Sequence, residues 1–197
     1  MSQDKSESLP RSPELMSADD TGLLVVDVQE KLIGLIPHHE RIVWNIRRLL
    51  DGAKTLGVAS AATEQYPQGL GKTVPELADR LGDVPDKVSF SCGACPEIFH
   101  QWDERGITRV LVAGIEAHVC VQQSVLDLIA SGRRLYVAVD AVGSRYDIDH
   151  QTALRRMESA GATLTTTEAA LFEWCQRSGT GQFKEISRLV REAPPEG

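Results

Sequence analysis

Apolar positions along this chain fall into two alternating kinds of run. Short stretches at 22–28, 58–63, 109–115 and 134–140 are apolar with little interruption. Runs of that kind have no polar face to turn to water, so each predicts a strand buried on both sides. Between them the spacing becomes helical. Ile42, Val43, Ile46, Leu49, Leu50 and Ala53 mark one face of a helix that Gly57 ends. Val121, Val125, Leu128 and Ile129 mark another, opening near His118 and stopping at Gly132. Further helices are predicted over 75–81, 96–105 with Pro96 in the first turn, 149–160 before Gly161, from Thr167 onward, and over 183–191 before Pro194 and Pro195. Short strands are predicted at 87–90 and 162–165, and a Pro/Gly-rich loop at 65–74. This alternation predicts an α/β fold with a mainly parallel sheet covered on both faces. Residues 1–18, rich in Ser, Pro and charge, predict a mobile arm ahead of a single domain over 19–197.

Composition narrows the functional classes. The 197 residues are 42% hydrophobic and 25% charged, as in ordinary globular proteins. A net charge of −7 with no basic stripe argues against nucleic acid as a partner. The apolar runs are strand length, so no membrane partner is expected. The opening Met1-Ser-Gln-Asp-Lys-Ser has no signal-peptide core, and four cysteines do not resemble a secreted disulfide framework. A cytoplasmic location with reduced thiols is the expectation.

Several motif fragments fail on spacing. Gly69-Leu-Gly-Lys-Thr73 lacks the earlier glycine of a phosphate loop, because Tyr66 stands there and Pro67 follows. Val74 occupies the third glycine position of a dinucleotide fingerprint. Cys92-Gly-Ala-Cys95 has no second ligand pair for zinc; it is either a redox pair or part of a loop lining the pocket. His38 and His39 precede a helix without a partnering carboxylate pattern and read as solvated. Neither metal nor cofactor is expected.

The candidate chemistry lies at one sheet edge. Cys120 follows the 109–115 strand and falls in the first turn of the next helix, where backbone N–H groups and the helix dipole favour thiolate. It is either a nucleophile there or a small core residue. Asp27 ends the first strand, and Lys87 lies in the next strand to reach the same edge. A lysine there stabilises a thiolate or holds the carboxylate; otherwise both charges are a loop cap and a strand-end charge.

These residues stand in recognisable surroundings. The chain resembles the isochorismatase-like cysteine hydrolase superfamily through Val25-Val-Asp-Val-Gln29, Asp86-Lys-Val-Ser-Phe-Ser91, Gly114-Ile-Glu-Ala-His-Val-Cys-Val121 and Val139-Asp-Ala-Val-Gly-Ser-Arg145. Within it, Thr63-Glu-Gln-Tyr-Pro-Gln-Gly-Leu-Gly71 and Phe183-Lys-Glu-Ile-Ser-Arg-Leu-Val190 are similar to the isochorismatase domain-containing proteins. The resemblance runs from about residue 20 to the C-terminus. It implies a Rossmann-like three-layer α/β/α fold with a mainly parallel six-stranded sheet and a catalytic triad of Asp27, Lys87 and Cys120. It also implies a cis peptide between Ile115 and Glu116, an oxyanion hole from the Glu116 and Cys120 backbone N–H groups, and a homo-oligomer.

Two departures refine the expectation. Nicotinamidase members carry a metal-binding Asp-x-His stretch where Thr63-Glu-Gln-Tyr66 stands here, which points to a metal-free site. True isochorismatases lack the cysteine and use the aspartate as an acid on a vinyl ether. The resulting expectation is a cysteine hydrolase that cleaves a small amide or related acyl C–N bond through a thioester on Cys120. Gln29, Gln65, Tyr66, Phe90, His118 and Tyr146 are the expected substrate-binding residues, with Arg145 either forking a substrate carboxylate or capping a loop. Two alternatives stand beside it: a non-catalytic binding or scaffold protein retaining the family site, and an ether hydrolase using Asp27 alone.

Overall fold

A computed structural model describes residues 10–195. At its centre is a six-stranded parallel sheet in the order β3-β2-β1-β4-β5-β6. The strands are β1 (Thr21–Val26), β2 (Ala59–Gln65), β3 (Asp86–Lys87), β4 (Arg109–Ile115), β5 (Arg134–Gly143) and β6 (Thr163–Thr165). Side chains alternate across the sheet, which explains the uninterrupted apolar runs. Leu23, Val25, Leu111 and Tyr136 enter one core cluster, while Leu24, Val26, Val110 and Leu135 enter the other.

Helices cover both faces, as the resemblance implies. After a single turn at α1 (Glu30–Ile33), α2 (His39–Leu56) lays Ile46, Leu49 and Ala53 on the first cluster. Short α3 (Pro67–Leu70) and α4 (Pro75–Ala78) follow β2. The opposite face is covered by α5 (Pro96–Glu104), α6 (Gln122–Ala130) and α7 (Asp147–Ser159), through Trp102, Val125 and Met157 among others. The last two helices, α8 (Thr167–Cys175) and α9 (Gly181–Val190), return to the α2 side through Leu171 and Ile186.

The chain therefore leaves β1 toward one face and its neighbour β4 toward the other. Their C-terminal ends form the switch point, the place at which open α/β sheets bind ligands. The two strands come close there. Gly114 has φ +122°, and a Cβ on it would lie 2.2 Å from the Val26 carbonyl oxygen.

Four local differences from the sequence expectation have physical causes. Residues 10–18 are not a free arm: Met16 is wholly buried and its N–H donates to Glu173 Oε2 at 2.8 Å. Tyr136 Oη donates to the Glu14 carbonyl and Arg109 to that of Pro13, each at 2.8 Å. The polar composition hid one apolar anchor and two carbonyl acceptors; the earlier part of the predicted arm, 1–9, lies outside the described residues. The strand expected over 87–90 stops at Lys87, because side chains take the next carbonyls. Gln65 Nε2 donates to Val88 O at 2.8 Å and Lys87 Nζ to Phe90 O at 2.9 Å. The 65–74 loop contains one helical turn, α3, with Pro67 in its first turn. Finally, Cys120 lies not in an α-helical turn but in a wider π-type turn, Ala117–Val121, ahead of α6.

Candidate active site

Three strands carry the three candidate side chains to the C-terminal edge of the sheet. Asp27 follows β1 in the left-handed region at φ 51°, with its N–H on the Thr63 carbonyl at 3.1 Å. Its side chain is fully buried, and both carboxylate oxygens have donors. Thr63 Oγ1 donates to Oδ1 at 2.8 Å and Lys87 Nζ to Oδ2 at 2.6 Å.

Lys87 is placed by the β2–β3 pairing, in which it sits opposite Gln65. Its ammonium also donates to Gln65 Oε1 and to the Phe90 carbonyl, each at 2.9 Å. All three protons are thereby used, which holds the cation in place beside the carboxylate.

Cys120 is almost wholly buried, near enough to Asp27 and Lys87 for both charges to act on its thiol. Burial, followed by the charge of Asp27, pushes its thiol far above the ordinary range, while Lys87 pulls it back. The helix-dipole argument for a resting thiolate does not hold here, because desolvation and an adjacent carboxylate outweigh it. Burial and the neighbouring carboxylate thus oppose a thiolate at Cys120, beside the Asp27–Lys87 salt bridge. Behind it, Ser124 Oγ donates to the Cys120 carbonyl at 2.6 Å and accepts the Cys92 N–H at 2.8 Å, pinning the turn to the Cys92 segment. The Ile115–Glu116 peptide, at the entry to that turn, is cis.

The expected substrate-binding residues divide into two groups. Gln29 and Gln65 are buried and their amides are engaged internally. Gln29 Nε2 donates to the carbonyls of Gln65 at 3.0 Å and Gly71 at 2.7 Å, and its Oε1 accepts the Gln65 N–H at 2.8 Å. Both brace the β1 and β2 ends, and Gln65 also accepts from Lys87. Tyr66, Phe90 and Tyr146 do stand exposed, on segments following β2, β3 and β5. His118 Nδ1 lies 3.0 Å from Ser144 Oγ, and Arg145 Nε donates to Glu116 Oε2 at 3.2 Å. Arg145 thus caps the Glu116 loop, one of its two expected roles, with its side chain still half exposed.

The spacing patterns missed Thr63 and Ser124, whereas Cys92 was offered with Cys95 as a redox pair or as part of a loop lining the pocket. Ser124 was legible, four residues after Cys120 on a helical segment. Thr63 needed the β1–β2 register, which sets it opposite Val26. Cys92 and Cys95 are free and buried, and burial pushes each thiol up to about 11.

A cavity of about 670 Å³ opens on the same sheet edge, between the start of α2 and the start of α7. His38, His39, Arg41, Ser144 and His150 are among its lining residues, and no member of the Asp27–Lys87–Cys120 cluster lines it. Among the described residues, no three His, Cys, Asp or Glu side chains are grouped to hold a metal ion. No described helix is long and apolar enough to cross a membrane.

A three-layer α/β/α sandwich with thiol, carboxylate and ammonium meeting at its switch point defines the class. Comparison with known proteins agrees: the isochorismatase domain is matched over residues 21–169. Isochorismatase domain-containing protein 2 of Homo sapiens is 39% identical over 175 residues, covering 88% of this chain and 84% of that protein. A structure described as MAR1 ribonuclease from Caenorhabditis elegans superposes with a TM-score of 0.85 at 38% identity, covering 92% of this chain and 95% of the other. The YcaC product of Escherichia coli, described as an octameric hydrolase of unknown specificity, shares the fold at 23% identity and a TM-score of 0.82, over 91% and 92% of the two chains. The chain belongs to the isochorismatase family of hydrolases.

Proposed function

We propose that the protein is a cysteine hydrolase that cleaves a small amide or related acyl C–N bond through a thioester on Cys120. The observation that carries this is the ion pair between Lys87 Nζ and Asp27 Oδ2 at 2.6 Å, wholly buried near the Cys120 thiol, on which both charges act. A buried charge pair is poor stabilising design, so its place at the switch point of the sheet near a thiol favours chemistry.

The steps follow from the groups present. Asp27 takes the Cys120 proton, and Lys87 balances the negative charge as it moves from carboxylate to sulfur. The thiolate attacks the carbonyl carbon, forming a C–S bond and an oxyanion. The backbone N–H groups of Glu116 and Cys120 receive the oxyanion; losing one such donor typically costs about 2.7–4 kcal/mol of barrier. As the intermediate collapses the C–N bond breaks, and Asp27 returns its proton to the departing amine. Asp27 then draws a proton from water, whose oxygen attacks the thioester. The acid leaves and Cys120 regains its proton. Substrate enters over Tyr66, Phe90, His118, Arg145 and Tyr146.

Charge opposes RNA as the substrate, the reaction that the name of the C. elegans relative suggests. A net charge of −7 does not gather a polyanion. We also propose a homo-oligomer in the cytoplasm. Six of the eight large apolar side chains left exposed among the described residues follow β1, β2, β3 or β5 at this edge: Leu35, Tyr66, Val88, Phe90, Tyr146 and Ile148. Such a grouping is unusual on a free monomer surface.

The test is a panel of small amides, with an RNA oligonucleotide alongside, assayed against the protein and its Cys120→Ala variant. Amide turnover that disappears with the thiol supports the proposal. Turnover surviving in Cys120→Ala would point to acid chemistry at Asp27 and overturn the thioester.

A further inference from the structure

Thr63 is fully buried on β2. Its hydroxyl has one proton, and that proton goes to Asp27 Oδ1 at 2.8 Å. Cys92 Sγ lies 3.4 Å from the same hydroxyl oxygen. With the hydroxyl proton already committed, the thiol must be the donor in that second contact. The result is a directed series: Cys92 S–H to Thr63 O–H, and Thr63 O–H to the Asp27 carboxylate. Burial, which pushes the Cys92 thiol up to about 11, keeps that donor protonated.

The series addresses a problem that the Asp27–Lys87 pair leaves open. A carboxylate rotates easily about its last side-chain bond, whose torsion is broad rather than three-welled. One ammonium on Oδ2 anchors one oxygen and leaves the plane of the group free to swing. A second donor on Oδ1, rooted in a neighbouring strand, removes that freedom and keeps the carboxylate turned to the Cys120 sulfur. The backbone supports the same alignment, since Asp27 N–H is on the Thr63 carbonyl at 3.1 Å.

From this geometry we infer that Thr63, backed by Cys92, is a positioning residue for Asp27, setting the base against the Cys120 thiol. The inference rests on the hydrolase proposal, in which Asp27 deprotonates Cys120. It assigns the β2 strand a part in the chemistry beyond delivering Gln65 to Lys87.

The experiment measures the rate at which iodoacetamide alkylates Cys120 in the folded protein at neutral pH, located by peptide mass analysis. No substrate need be known. Thr63→Val keeps the shape and removes the hydroxyl; the Cys120 rate is expected to fall about tenfold or more. Thr63→Ser restores the hydroxyl and should recover most of that loss, a rescue that a purely packing role would not give. If Thr63→Val does not fold, Thr63→Ala carries the same comparison. Asp27→Asn separates the two levels of the argument. A Cys120 rate unchanged or raised in Asp27→Asn overturns the hydrolase proposal itself, because Asp27 would then not act as the base for the thiol. A rate lost in Asp27→Asn but kept in the Thr63 variants lacking the hydroxyl overturns only the role of Thr63, as does failure of Thr63→Ser to recover what Thr63→Val loses. Once a substrate is found, Thr63→Val should lower kcat and leave KM within about twofold.

Discussion

Lys87 Nζ and Asp27 Oδ2 meet at 2.6 Å with side chains 1% and 0% exposed, although the residues are sixty positions apart in the chain. Removing one member of such a pair leaves the other charged in a low-dielectric interior. Lys87→Met should therefore destabilise the protein by about 3–5 kcal/mol. The double variant Lys87→Met with Asp27→Asn should be less unstable than the sum of the two single changes. A urea-unfolding double-mutant cycle measures this; strict additivity would mean that the pair is not coupled.

The thiols should separate by environment. Burial pushes Cys92 and Cys95 up to about 11, and neither is given a base by the proposed mechanism as Cys120 is, so neither should react with iodoacetamide at neutral pH in the folded protein. Cys175 is only partly buried and should label readily. In denaturant, Cys92 and Cys95 should label as fast as Cys175. Rapid native labelling of the Cys92–Cys95 segment would contradict its buried placement.

Acid stability should depend on Glu64. Burial raises its carboxyl pKa, but the Thr73 N–H at 2.7 Å, Lys72 and the Thr73 hydroxyl at 3.0 Å outweigh burial and hold it below the ordinary value. A lowered folded pKa contributes stability above the unfolded value, about 4.3, and that contribution is lost as pH falls through the folded value. Glu64→Gln should cost about 1–2 kcal/mol near pH 7, much of it from the Thr73 contacts. The gap to wild type should close on acidification. A gap that widened as pH fell would reverse the assignment.

Two glycines with positive φ should behave differently. At Gly114 a Cβ would strike the Val26 carbonyl oxygen, whereas at Gly57, which caps α2 at φ +76°, it would meet nothing within 4 Å. Gly57→Ala should cost about 1 kcal/mol, from backbone conformation alone. Gly114→Ala should cost about 3 kcal/mol or more, since β1 and β4 would have to separate. Urea midpoints distinguish the two; equal effects would mean that the strand approach at Gly114 is not tight.

The exposed apolar rim predicts self-association. Val88→Glu and Ile148→Glu, both at strongly exposed positions, should shift the particle toward monomer mass in light scattering without lowering thermal stability. A wild-type chain that is monomeric at micromolar concentration would remove the assembly proposal.

The chain order of apolar runs determined the α/β class and the parallel sheet, because strands buried on both faces cannot spare a polar position. The bounds of β4 were legible to the residue, since Val110–Ile115 is apolar throughout, with Thr108 and Arg109 before it and Glu116 after it. The family motifs offered Asp27, Lys87 and Cys120 as candidates, and the fold carries all three to one edge of the sheet. Tertiary structure alone decided what those groups are to one another. Whether Cys120 rests as thiol or thiolate depends on burial and on the carboxylate that β1 brings beside it, neither of which is local to its turn. Gln29 and Gln65 looked free to meet a ligand, yet strand pairing turns their amides onto neighbouring backbone and onto Lys87. Thr63 acquires its contact with Asp27 only through the β1–β2 register. Periodicity reports which face a residue occupies, a property of its own strand; hydrogen-bond partners across strands depend on register and depth, which are set when the sheet assembles.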